Sequence, residues 1–130
     1  MLNHNVEARK SRINGIGLFA NDDIKRGEII WSLDDTVIQF TLDDIKNIPE
    51  KLQEFILRYV GSYGEILTLD TDQSIFLNHS CTPNVGLAKD GITEIAIKDI
   101  KMGDELTINY LDFSINKILD FKCNCVKHKL

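Results

Sequence analysis

A chain of 130 residues with 43% hydrophobic, 8% aromatic and 27% charged content fits one compact domain and excludes a collagen, a mucin-like stalk or a wholly disordered segment. Such a length buries roughly two-thirds of the surface its unfolded chain exposes, enough to fold without disulfide staples. The net charge is −5, and no Lys/Arg stripe stands ready to neutralise phosphates, so direct DNA or RNA binding is not expected.

The acidic excess concentrates in residues 28–54, where seven acidic residues accompany two lysines, Lys46 and Lys51. It reads as a solvated face that favours solubility, and as a surface suited to a basic partner. Residues 1–12 lack the apolar stretch of a secretory signal, and no window approaches the ~20 apolar residues of a membrane span. The expectation is a soluble intracellular protein, cytoplasmic or, in a eukaryotic host, nuclear, with no membrane contact. The cysteines, Cys81, Cys123 and Cys125, are too few for a disulfide framework and point to metal or free thiols.

In chain order, short apolar runs bounded by turn residues predict strands over 17–20, 28–33 and 36–40. A helix follows: Leu52, Phe55, Ile56, Tyr59 and Val60 recur at helical spacing, Pro49 suits its first turn, and its apolar face should lie on the sheets. Further strands are predicted over 65–69, 85–88, 92–97 and 105–110. Asp90-Gly91 signals a type I′ hairpin between two of them, because both central positions of that turn need positive φ. A second short helix is predicted from Ser114, as N-cap, to Phe121. The fold class is mainly β, with small helices.

Four stretches carry chemistry. In 14–19, Asn-Gly-Ile-Gly-Leu-Phe, two glycines let the backbone approach a ligand closely. The third glycine of a dinucleotide-binding loop is absent, and a plain strand-connecting turn is the alternative. In 74–84 an apolar run breaks into Asn78, His79, Ser80 and Cys81 before Pro83 and Asn84. Asn78 and His79 offer donors and acceptors able to orient a polar ligand, or to satisfy buried backbone at a turn. The strand 105–110 places Leu106, Ile108 and Tyr110 on one face by its period of two. Finally Cys123, Cys125 and His128 form a Cys-x-Cys-x2-His tail, with thiolate and imidazole ligands that suit tetrahedral zinc and Cys81 available as a fourth. Exposed thiols on a chain end are the alternative.

Taken together these stretches resemble the SET-domain family of protein lysine methyltransferases. Gly15-Ile16-Gly17-Leu18-Phe19-Ala20, followed by 23–28, is similar to the family's first motif. Asn78-His79-Ser80-Cys81-x-Pro83-Asn84 is similar to its central motif, Glu105–Tyr110 to its catalytic strand, and Cys-x-Cys to the start of a post-SET segment. The resemblance implies a β-clip fold of small curved sheets with a pseudoknot that brings the Asn78 and Tyr110 segments together. Residues 1–113 would form the SET domain and 114–130 a short post-SET-like segment.

It also implies S-adenosylmethionine as cofactor, contacted through the backbone by Ile16, Gly17 and Leu18 and through hydrogen bonds by Asn78 and His79. Tyr110 would be catalytic, beside the transferred methyl. A neutral lysine amine would reach it through a narrow apolar channel that disfavours the ammonium form. Ile108 stands where relatives often carry an aromatic residue that limits how many methyl groups fit. Tyr59 and Tyr63 are further channel candidates, the helix pattern also giving Tyr59 a packing role; Phe113 or Phe121 would cover the adenine. A post-SET zinc site normally uses Cys-x-Cys-x4-Cys with the central cysteine, and Leu130 falls where the last cysteine would stand. The expected ligands are therefore Cys81, Cys123, Cys125 and His128.

The function so implied is S-adenosylmethionine-dependent protein-lysine N-methylation of a basic, lysine-rich or histone-like substrate. A catalytically silent module that binds the cofactor or a basic peptide is the other reading. Monomer and homodimer are both compatible with the sequence.

Overall fold

The computed structural model describes residues 1–113 together with Lys122 and Cys123. The expected helix from Ser114 to Phe121, and the expected ligands Cys125 and His128, lie outside the described residues. In chain order the strands are β1 (Val6–Lys10), β2 (Ile16–Ala20), β3 (Ile29–Trp31) and β4 (Ile38–Phe40), then β5 (Gly61–Tyr63) and β6 (Ile66–Leu69). The series continues with β7 (Asn78–His79), β8 (Val85–Leu87), β9 (Glu94–Ala96) and β10 (Glu105–Ile108). Helices α1 (Leu42–Lys46) and α2 (Glu50–Tyr59) separate β4 from β5, and single 3₁₀ turns occupy Gln73–Phe76 and Tyr110–Asp112. The mainly-β expectation holds.

Strand β10 decides the architecture. In a seven-stranded sheet ordered β1-β2-β10-β8-β9-β3, it pairs antiparallel with β2 and parallel with both β8 and β7. The registers Leu106↔Leu18, Thr107↔Asn78 and Ile108↔His79 draw the first, central and last motifs together. A smaller sheet, β4-β6-β5, stands beside it. Leu18, Ile24, Ile30, Val85, Ile100, Leu106 and Ile108 are at most 1% exposed. Each such side chain contributes about 1.5–3 kcal/mol by leaving water.

Asn84 ties the central motif to this strand. Its Nδ2 donates to Glu105 O at 2.9 Å, and its Oδ1 accepts from the Thr107 N–H at 2.9 Å.

Three local expectations need correction. The 85–97 hairpin forms, but its tight turn is centred on Lys89 and Asp90: the Gly91 N–H donates to Ala88 O at 2.9 Å, and Gly91, at φ +71, follows the turn. The Asp90 carboxylate fixes this longer loop by accepting from the Ile92 and Thr93 N–H groups at 2.8 Å, an Asx arrangement that competes with a two-residue turn. Secondly, β10 ends at Ile108. The Asn109 side chain accepts from the Leu111 N–H at 3.0 Å and opens the 3₁₀ turn, so Tyr110 leaves the strand.

Thirdly, α2 is only half seated. Pro49 is its N-cap, before the first turn. Ile56 and Leu57 pack on the core, whereas Leu52 and Phe55 are 46% and 53% exposed.

Candidate active site

Two cavities meet at Tyr110. The larger, about 740 Å³, lies between the 14–16 loop, α2 and the central motif; Asn14, Gly15, Ile16, Ile75, Asn78 and Tyr110 contribute to its wall. That is the size of a small-molecule site. The smaller, about 60 Å³, is walled in part by Tyr59, Tyr63, Ile108, Tyr110 and Phe113. Arg58, Tyr59, Ile75 and Tyr110 line both, so these side chains separate a roomy compartment from a narrow one.

The 14–16 loop is held by one amide and one carboxylate. Asn78, 6% exposed, donates from Nδ2 to Asn14 O at 3.1 Å, Ile16 O at 3.2 Å and Glu105 Oε2 at 2.9 Å. The Ser11 hydroxyl donates to Glu105 Oε1 at 2.7 Å. With its amide hydrogens so committed, the remaining polar atom of the Asn78 side chain is Oδ1. Gly17 makes this clasp possible: a Cβ there would stand 2.4 Å from Glu105 Oε2. Gly15, at φ +45 with open space where a Cβ would be, leaves the backbone bare on the cavity side.

Tyr110 is held from two directions. Its backbone N–H donates to His79 Nδ1 at 3.0 Å, and its hydroxyl donates to Leu77 O at 2.7 Å. The imidazole and phenol rings pack with centroids 5.3 Å apart. Burial, followed by the Glu105 carboxylate, pushes the phenol up to about 12. Tyr110 is therefore a neutral hydroxyl at physiological pH, its proton directed at Leu77 and its ring on the wall that both cavities share.

His79 Nδ1 is an acceptor here, so in the neutral ring Nε2 carries the hydrogen, and it faces Cys81 Sγ at 3.3 Å. Cys81 Sγ in turn lies 3.5 Å from Cys123 Sγ. Zn–S bonds of ~2.3 Å in a tetrahedron place two sulfurs nearly 4 Å apart, so the two cysteines fit one ion. His79, although within 4.8 Å of both sulfurs, does not fit as it stands: ligation through Nε2 requires a lone pair there and a hydrogen on Nδ1.

The sequence-expected residues are thus distributed as follows. Ile16, Asn78 and Tyr110 line the larger cavity, and Ile108, Tyr59 and Tyr63 line the smaller. Gly17 and Leu18 stand behind the loop on β2, Leu18 fully buried in the core. The His79 ring braces Tyr110 and meets Cys81. Phe113 packs edge-on against Tyr63 in the smaller cavity, away from the larger one.

Sequence reasoning missed Ser11, Asp70, Glu94 and Glu105. Glu105 opens a strand, where a charged residue is unremarkable. Glu94 did leave a signal: it interrupts the apolar run 92–97 at a position that alternation places on the same inward face as Ala96.

A SET-domain family model matches residues 15–111. Human "Histone-lysine N-methyltransferase 2D" is 28% identical over 94% of this chain, which spans 2% of that protein's length. A crystal structure of a candidate histone methyltransferase from Plasmodium falciparum superimposes with a TM-score of 0.61 at 25% identity, covering 84% of this chain and 95% of that one. ctPRC2 in an autoinhibited conformation bound to S-adenosylmethionine superimposes with a TM-score of 0.62 at 26% identity, covering 90% of this chain and 16% of that one. With its first, central and last motifs paired through β10 and the family model spanning most of its length, this chain belongs to the SET-domain family.

Proposed function

We propose that this chain is an S-adenosylmethionine-dependent protein-lysine N-methyltransferase acting on a basic, lysine-rich protein segment. The observation that carries the reading is the pair of unequal cavities that share Tyr59 and Tyr110. One has room for a cofactor and the other only for the end of a side chain. When bound, S-adenosylmethionine supplies a methyl group on a positively charged sulfur.

Ile16 and Asn78 form the wall of the cofactor side, and Gly17, Leu18 and His79 back that wall from β2 and β7. Asn78 and Glu105 hold the loop in shape, and the loop backbone around Gly15 gives close access. Tyr59, Tyr63 and Ile108 form the channel, and Tyr110 orients the amine with its hydroxyl oxygen. Positioning is most of the work of the site, since an in-line approach within ~3–3.5 Å is the main requirement for such a transfer. Weak C–H···O contacts to the phenol oxygen would add a second-order hold on the methyl.

The acidic positions Glu28, Asp35, Asp43, Asp44, Glu50 and Glu54 are exposed, which favours encounter with a lysine-rich, histone-like substrate. Residues 1–113 serve as the SET domain and 114–130 as a post-SET-like segment. In that segment Cys123, with Cys81, supplies two zinc thiolates, and Cys125 and His128 are the remaining candidates. Radiolabelled methyl transfer onto histone-like peptides tests the function. Incorporation on lysine that requires Tyr110 supports it, and absence of transfer across a broad array of basic peptides overturns it.

A further inference from the structure

The smaller cavity is not the apolar channel that the resemblance implied. Two carboxylates, Asp70 and Glu94, line it alongside the aromatic rings. Glu94 is 7% exposed, and it points inward from β9 on the face it shares with buried Ala96. Among the described residues no hydrogen bond or ion pair reaches its carboxylate. Asp70 Oδ1 is buried with no hydrogen bond of ordinary geometry among them, although the burial that pushes its carboxyl up is opposed by the Ser74 and Trp31 side chains, which stand near enough to favour the ionised form. Arg58, which lines both cavities, forms no ion pair with either group among the described residues. An unpartnered carboxyl inside a protein is costly, and its persistence beside a cavity marks it as a group that meets a ligand. Aromatic walls with acidic oxygens suit an alkylammonium ion.

On the reading that the chain methylates lysine, we propose that Glu94 is the proton acceptor that converts the substrate's ammonium group into the nucleophilic amine, with Asp70 helping to draw the cation into the cavity. The ammonium N–H bond breaks, its electron pair stays on nitrogen, and the proton passes to a Glu94 oxygen directly or through one water. The freed lone pair forms the N–C bond with the donor's methyl while the C–S pair returns to sulfur. The methylated product leaves carrying the positive charge, and Glu94 releases its proton to solvent.

The dimensions are compatible with this transfer. A cavity of about 60 Å³ has room for only a few waters, so a cation inside it is within direct or one-water reach of the walls. Proton affinity also matches. Burial, then the charge of Asp70, pushes Glu94 up to about 8, Asp72 adding to the rise and the Met1 amino group opposing it. A base of that strength suits work near neutral pH. Of the other groups on the wall, Tyr63 is pushed up by its own burial and by Glu94, and Tyr110 by its burial, so both stay neutral; Tyr59 and Arg58 complete the titratable set.

The test is the pH–rate profile of Glu94→Gln in single-turnover methyl transfer to a lysine peptide, beside the wild type. The expected result is a deficit of about 10²-fold at pH 7.5. That deficit should shrink to a few-fold near pH 10, where lysine loses its own proton, while affinity for S-adenosylmethionine stays unchanged. A deficit constant across pH, or none, overturns the assignment. A wild type that transfers no methyl to any lysine substrate sinks the functional reading as well, which distinguishes the two failures. Should Glu94→Gln misfold, the wild type with a ¹³C-labelled Glu94 carboxyl serves instead. Its resonance should shift on adding the lysine peptide and not on adding the norleucine equivalent, and equal responses to the two peptides overturn the proposal.

Discussion

His79 accepts the Tyr110 backbone N–H at 3.0 Å, so a residue of the central motif fixes the point at which the chain leaves β10. Removing that acceptor strands a partly buried donor, a loss of about 1–3 kcal/mol. For His79→Ala we expect thermal unfolding to fall accordingly. Methyl transfer should fall by more than the loss of folded protein explains, because the Tyr110 ring also loses its neighbour 5.3 Å away. Calorimetry on the variant, paired with transfer assays normalised to folded protein, checks both.

Tyr110→Phe keeps the ring and deletes the donor to Leu77 O. Stability should drop by about 1 kcal/mol, the net value of one such bond. Methyl transfer should drop at least tenfold with affinity for S-adenosylmethionine little changed. Transfer at the wild-type level would remove the hydroxyl from the mechanism.

Gly17→Ala should break the clasp from the other side, since its Cβ would stand 2.4 Å from Glu105 Oε2. Overpacking of this kind costs about 1–3 kcal/mol. Because the same carboxylate carries the Asn78 and Ser11 bonds, Gly17→Ala combined with Glu105→Ala should destabilise by less than the sum of the single changes. A strictly additive cycle, read by urea unfolding, would show that the close approach carries no strain.

Glu94 also makes a prediction for the folded state alone. Its carboxyl is raised from 4.5 to about 8 on folding, so the folded chain binds the proton more tightly than the unfolded one. The stability from this group is fully present below about pH 4.5 and is lost as pH rises towards 8. The wild type should therefore lose at least about 1 kcal/mol over that interval relative to Glu94→Gln, whose side chain does not titrate. Parallel melting-temperature profiles for the two proteins between pH 5 and 8 would contradict the burial argument.

Zinc removal should act on the Cys81–Cys123 contact, whose sulfurs lie 3.5 Å apart. Elemental analysis is expected to give about one zinc per chain, and a strong chelator should lower the melting temperature, because metal binding and folding of such segments are coupled. Cys81→Ser should abolish the difference that chelator makes. A zinc ratio near zero after chelator-free purification would leave the cysteines as thiols.

The elements that were legible beforehand are those whose signal is local. Alternation and bounding turns located β2, β3, β4, β6, β8, β9 and β10, and helical spacing located α2. The missed elements lack that signal. β1, Val-Glu-Ala-Arg-Lys, is an edge strand with mostly exposed side chains, and β5, Gly-Ser-Tyr, has no apolar pattern at all. Helix α1 spans five residues and rests on the Thr41–Asp44 capping box rather than on an apolar stripe.

The amino-acid order by itself determined the kind of protein this is: motif residues at fixed places along the chain, from Gly15-Ile16-Gly17 through Asn78-His79 to Tyr110, identify the family because each residue type is tied to its own local backbone. Tertiary structure alone decided what surrounds them. Glu105 reaches Asn78, Tyr110 meets His79, and Asp70 and Glu94 close one cavity, although Glu94 belongs to the seven-stranded sheet and Asp70 directly follows β6 of the smaller one. Those encounters depend on β10 settling between β2 and β7, and a pairing between distant segments is a property of the packed whole that no local propensity records.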